Sequence, residues 1–132
     1  MTEADLALFL NSFDSCIENE RFLEIFYDDF MGSSEEVRAL FAHTDLPKQR
    51  RALKASLYVM VAAIARRQAD VSSLVALVER HRALKIRDEH YELWLESLIT
   101  AAARCSEQWD ADTARVWRSA LREGIAVMTG GA

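Results

Sequence analysis

Apolar residues recur along most of this chain at steps of three and four, the spacing that puts them on one face of a 3.6-residue helix. Leu6, Phe9, Leu10, Phe13 and Ile17 form the first stripe, and Leu23, Phe26, Tyr27 and Phe30 form a second over 21–31. Ser33 and Glu36 stand at capping-box spacing, which predicts a short third helix running to Phe41, followed by a corner over 42–45. Asp45 then caps a long fourth helix whose first turn tolerates Pro47, because that N–H would lack a helical partner in any case. Its stripe runs through Leu53, Leu57, Met60 and Ile64. Arg66, Arg67, Gln68 and Ala69 break the pattern, and Asp70 opens a fifth helix carrying Val71, Leu74, Leu77 and Val78 to His81 and ending near Leu84. A sixth passes through Tyr91, Leu93, Trp94, Leu95, Leu98 and Ile99 to Cys105. A seventh, capped by Asp110 or Asp112, passes Trp117, Leu121 and Ile125. Seven helices exclude a simple four-helix bundle.

Composition supports an all-α reading, with one Pro and four Gly in 132 residues otherwise rich in Ala, Leu, Arg and Glu. The length suits a single domain over 1–132, without internal repeat or linker. A net charge of -5 and the lack of a basic stretch argue against nucleic acid and against an anionic membrane surface. No apolar run reaches the ~20 residues of a membrane span. Acidic residues at Glu3 and Asp5, where a signal peptide carries Lys or Arg, predict a cytoplasmic protein. Cys16 and Cys105 form no CxxC motif and read as reduced packing residues.

The candidate chemistry begins at His81, which occupies the turn after Leu74, Leu77 and Val78 on an apolar stripe. It is either a core histidine bonded to a carbonyl or a metal ligand. His43 and His90 lie on separate segments, so a tetrahedral zinc site has no ligand set, whereas one imidazole suffices for a haem. His43 falls in the corner and reads as exposed; His90 has no stripe to explain and reads as a surface residue. Gln49 and Leu53 share a face of the fourth helix. A reversal near Gln68 would set Gln49 and His81 at similar distances from the bend, leaving room for a flat ligand between two antiparallel helices. Tyr27, beside Phe26 and Phe30, aims its hydroxyl at the same space. Taken singly, the aromatic stripe reads equally as core and Gln49 as a solvated residue near a helix start.

Taken as a set, these residues are more specific. Phe22-Leu23, Phe26-Tyr27 and Phe30, then Glu36 through Phe41, then Thr44-Asp45-Leu46 with Gln49 and Leu53, then Arg80-His81, then Tyr91-Glu92-Leu93-Trp94 resemble the single-domain bacterial globins, from about Phe22 to Trp117. The resemblance implies a globin fold sandwiching one b-type haem. It makes His81 the proximal iron ligand, Phe41 the phenylalanine at the haem edge, Tyr27 and Gln49 the polar distal pair, and Leu53 the apolar residue over the iron. Tyr91 resembles the proximal tyrosine of flavohaemoglobin-like globins. Those proteins complete a proximal triad with a glutamate late in the last helix, whereas this chain runs Gly124-Ile125-Ala126-Val127-Met128. Arg51, Lys54, Arg80, Arg82 and Lys85 are the cations on the two helices that would flank the propionates.

The implied activity is reversible binding of O2, CO or NO by a monomer or homodimer, a carrier more than an enzyme. Two other readings compete with it. One is a nitric oxide dioxygenase that depends on a separate reductase. The other is a haem-free, globin-like module for partner binding or sensing.

Overall fold

The computed structural model describes residues 2–66 and 87–128, and among these residues there are six helices and no strand. They are α1 (Glu3–Glu18), α2 (Arg21–Gly32), α3 (Glu35–Leu40), α4 (Leu46–Arg66), α5 (Asp88–Cys105) and α6 (Ala111–Met128). The predicted helix from Asp70 to Leu84, which carries His81, lies outside the described residues. No described helix is long and apolar enough to cross a membrane.

The caps explain where most of these helices begin. Thr2 Oγ1 accepts the Asp5 N–H at 3.0 Å, so α1 starts two residues ahead of that acid. At α3 the expected capping box is displaced by one residue. Ser34, not Ser33, accepts the N–H groups of Glu36 and Val37, while Ser33 donates its hydroxyl back to the Phe30 carbonyl and finishes α2. Asp45 accepts the Lys48 N–H at 3.2 Å at the head of α4, and Asp110, not Asp112, accepts both the N–H and the hydroxyl of Thr113 at 2.8 Å at the head of α6.

Helix α2 packs most extensively against α5, and α1 against α6. On α2, Phe22, Leu23, Phe26, Tyr27 and Phe30 are all buried. The buried surface of α5 includes small residues, Ser97, Ala101 and Ala102, beside Leu95 and Leu98. Ser97 donates a 2.8 Å hydrogen bond to Asp29 across the α2–α5 seam. The second pair is organised by Trp117, whose ring meets Phe9 edge-on at 5.2 Å and Phe22 at 6.3 Å. Its indole N–H donates to Ser12 Oγ at 2.7 Å, so the largest core side chain leaves no polar atom unpaired.

Helix α4 crosses α6 at Gly124. A methyl group there would stand 2.3 Å from Met60 Sδ and 2.7 Å from its Cγ, inside van der Waals contact. Met60 is itself buried, so the thioether has little room to retreat. Replacing Gly124 by Val adds a branched side chain to this crossing and is expected to destabilise the fold by about 1–3 kcal/mol. Adding Met60→Ala to Gly124→Val should recover part of that loss, so thermal melts of the two single variants and the double variant should be clearly non-additive.

Candidate ligand site

The polar centre of the predicted site is assembled by two helices. Tyr27 is carried on the buried face of α2, with its neighbours Phe26 and Phe30 holding the helix in rotation, and its ring is 3% exposed. Gln49 is in the first turn of α4, delivered there by the Asp45 cap and a 2.9 Å bond from its own N–H to the Asp45 carbonyl. The Gln49 side-chain amide lies beside the Tyr27 hydroxyl. Burial pushes the Tyr27 phenol up to about 12, opposed by the neighbouring Gln49 amide and by the nearby positive charge of Arg50. The hydroxyl is therefore a neutral group that keeps its proton at physiological pH.

Around this pair stands an aromatic wall. Phe41, the C-cap of α3, meets Tyr27 edge-on with ring centroids 5.6 Å apart and meets Phe30 at 5.9 Å. Leu53, one turn after Gln49, is half-buried against the core. Tyr27, Phe41, Gln49 and Leu53 are thus gathered on the α2, α3 and α4 side of the molecule. Tyr91 is half-buried in the first turn of α5, where burial first and Asp88 second raise its pKa. His81, Arg80, Arg82 and Lys85 lie outside the described residues. Arg51 and Lys54 are exposed, as is His43 in the corner.

His90 departs from the reading as a surface residue. It is buried, with Nε2 3.0 Å from Glu36 Oε2 and Nδ1 facing the Arg87 N–H at 3.4 Å. A signal for this was present in the sequence, because His90, Trp94, Ser97, Leu98 and Ala101 follow one another at helical spacing. The stripe was obscured because its first member is polar.

A cavity of about 460 Å³ lies elsewhere, between α1 and the turn joining α5 to α6, lined by Asn11, Ser12, Ser15, Cys105, Gln108 and Thr113 among others. Three of its hydroxyls are already committed: Ser12 to Trp117 and the carbonyls of Leu8 and Phe9, Ser15 to the Asn11 carbonyl, and Thr113 to Asp110. It shares no residue with the Tyr27–Gln49 pair.

The raised phenol has a measurable consequence. An unfolded tyrosine ionises near 10, whereas Tyr27 in the fold ionises at about 12. Its contribution is fully present below pH 10 and is lost as pH rises towards 12, because only the unfolded chain releases the proton in that window. Denaturant titrations should show wild type losing more stability between pH 9 and pH 12 than Tyr27→Phe, by roughly 2–3 kcal/mol. Equal losses would mean that the hydroxyl is not buried as described.

The protein-family model described as Globin matches residues 25–128. The search of curated proteins found no match. Among solved structures, the chain is similar to the protein PA3967 from Pseudomonas aeruginosa PAO1, whose crystal structure is described as structurally highly homologous to a human hemoglobin. The two share 36% identity over 97% of this chain and 99% of that one, with a TM-score of 0.86. The helical architecture, the gathering of Tyr27, Phe41, Gln49 and Leu53, and the family match over most of the sequence lead to one conclusion: this chain belongs to the globin family.

Proposed function

We propose that this globin binds one b-type haem through His81 and reversibly binds O2 or another diatomic gas beside Tyr27 and Gln49. The observation that carries the reading is the buried Tyr27, with Phe41 packed edge-on against its ring and the Gln49 amide beside its hydroxyl. The described residues fit such a group. A flat, largely apolar macrocycle needs apolar walls, and its exchangeable ligand needs a small number of fixed polar partners, which is the combination present here. Haem, when bound, supplies an iron that takes one imidazole and leaves one position for a ligand.

The remaining work belongs to the side chains. Tyr27, neutral and protonated, can donate a hydrogen bond to a polar diatomic ligand. Gln49, beside that hydroxyl, brings two N–H donors of its own. Phe41 and Leu53 limit the entry of water, which strengthens any hydrogen bond made in the space they enclose. Such donors favour O2, which accepts hydrogen bonds when bound, over CO, which accepts them weakly. Tyr91 is assigned to the proximal side, next to His81, by the family resemblance. Arg51 and Lys54, exposed on α4, are available to carboxylates at the rim, where each contact contributes little.

Titrating the purified apo-protein with hemin tests the reading. A Soret band saturating at one haem per chain, and lost or altered in His81→Ala, is the expected result; no saturable uptake by wild type overturns it. In the reduced, loaded protein, Tyr27→Phe and Gln49→Leu should each speed O2 dissociation by roughly 5- to 30-fold, the equivalent of about 1–2 kcal/mol for a lost donor. CO dissociation should change much less. Stopped-flow displacement of O2 by CO measures both.

A further inference from the structure

The bond between Glu36 and His90 joins two helices that frame the site from different directions. Nδ1 of His90 faces the Arg87 N–H and therefore accepts, which leaves the ring proton on Nε2 to be donated to the Glu36 carboxylate. Arg87 reaches the same carboxylate at 3.4 Å and also pairs with Glu89. Glu36, Glu89 and His90 converge as the ligands of a cation would. The guanidinium already neutralises both carboxylates, however, and a protonated Nε2 has no lone pair to offer a metal. The cluster is a joint between helices.

Each end of the joint leads towards the site. On α3, Glu36 stands five residues before Phe41, whose ring rests on Tyr27 and Phe30. On α5, His90 immediately precedes Tyr91. Helix α3 has 6 residues and buries Val37 alone, too little to hold its own position. Exposed pairs such as Arg122 and Glu92 can exchange each other for water at small cost. His90 cannot, because its ring is 7% exposed and loses its Nε2 partner if Glu36 withdraws.

We infer that Glu36 and His90 are positioning residues for the ligand site: their bond holds Tyr91 in register with the Phe41 corner and thereby tunes ligand binding. The inference rests on the haem reading above. Its test compares hemin-loaded wild type with Glu36→Gln, Glu36→Leu, His90→Glu and the swap Glu36→Lys with His90→Glu. Three quantities are read: amide hydrogen exchange over 87–95, the iron–imidazole stretching band in resonance Raman spectra, and the O2 dissociation rate. Glu36→Gln keeps an acceptor for the Nε2 proton and should behave as wild type. Glu36→Leu should speed exchange over 87–95, shift the band and change O2 dissociation by roughly threefold or more.

His90→Glu preserves an acceptor for the Arg87 N–H at the head of α5 but repels Glu36, so it should resemble Glu36→Leu. The swap restores an opposite-charge pair and should return all three readouts towards wild type. If His90 merely capped α5, Glu36→Leu and His90→Glu would both be silent, and that result overturns the inference while leaving haem binding intact. Failure of wild type to take up hemin overturns the haem reading and this inference together. Should Glu36→Leu not fold, the comparison of His90→Glu with the swap decides alone.

Discussion

The rotation of α2 about its own axis is the setting on which the rest of this structure depends. Phe22, Phe26 and Phe30 recur every four residues and are buried, with Phe22 against Trp117, Phe26 near Trp94 and Phe30 against Phe41. Three large rings in one stripe leave a single rotation that buries them all, because turning the helix by one residue would move the stripe through ~100°. Tyr27 follows Phe26, so the rotation that buries the three phenylalanines also turns its ring inward, where it meets Phe41. The polar group at the centre of the candidate site is thus a by-product of apolar packing, and Gln49 has only to meet it. On α5, buried Ser97 meets Asp29 of α2, while the Ala102 carbonyl meets Cys16 of α1.

The charges play a different part. Arg115 with Asp5, Arg118 with Glu96, and Arg122 with Glu92 tie α6 to α1 and to α5, all with exposed guanidinium groups. Such pairs trim the surface and help select which helices lie side by side, but they contribute little stability each. The Glu36–His90 bond differs because one partner has almost no access to water. Its location at the joint between the shortest helix and the start of α5 gives a modest interaction unusual leverage.

Much of this was legible from periodicity. The stripes of α1, α2, α4 and α5, and the Trp117 stripe of α6, correspond to buried residues flanked by half-buried ones such as Leu6, Leu53, Leu93 and Ile125, because burying an apolar face supplies most of the drive to fold and its spacing is written in the residue order. Cap residues were legible in kind and less so in position: Asp45 and Asp110 cap as the spacing suggests, while Ser34 displaced Ser33, two adjacent serines offering the backbone nearly equivalent partners. What periodicity could not supply was meeting in space. Nothing local ties Tyr27 to Gln49, or Glu36 to His90 across 54 positions; those pairs follow from helix crossings decided by the whole core. Their association was suggested for the first pair chiefly by family resemblance, and for the second by nothing except a stripe whose leading residue was an imidazole.

The pairing of α1 with α6 also has a bearing on how the chain is made. Phe9 and Phe13 are covered in large part by Trp117, and Ser12 takes the hydrogen bond of that indole across 105 positions of sequence. A chain emerging from the ribosome at about 5–20 residues per second therefore exposes the apolar face of its first helix for several seconds before the partner appears. During that interval α2, α3 and α4 can form local turns, but the aromatic core cannot close. Vectorial synthesis thus meets a fold in which α1 waits for α6 before its aromatic face is covered.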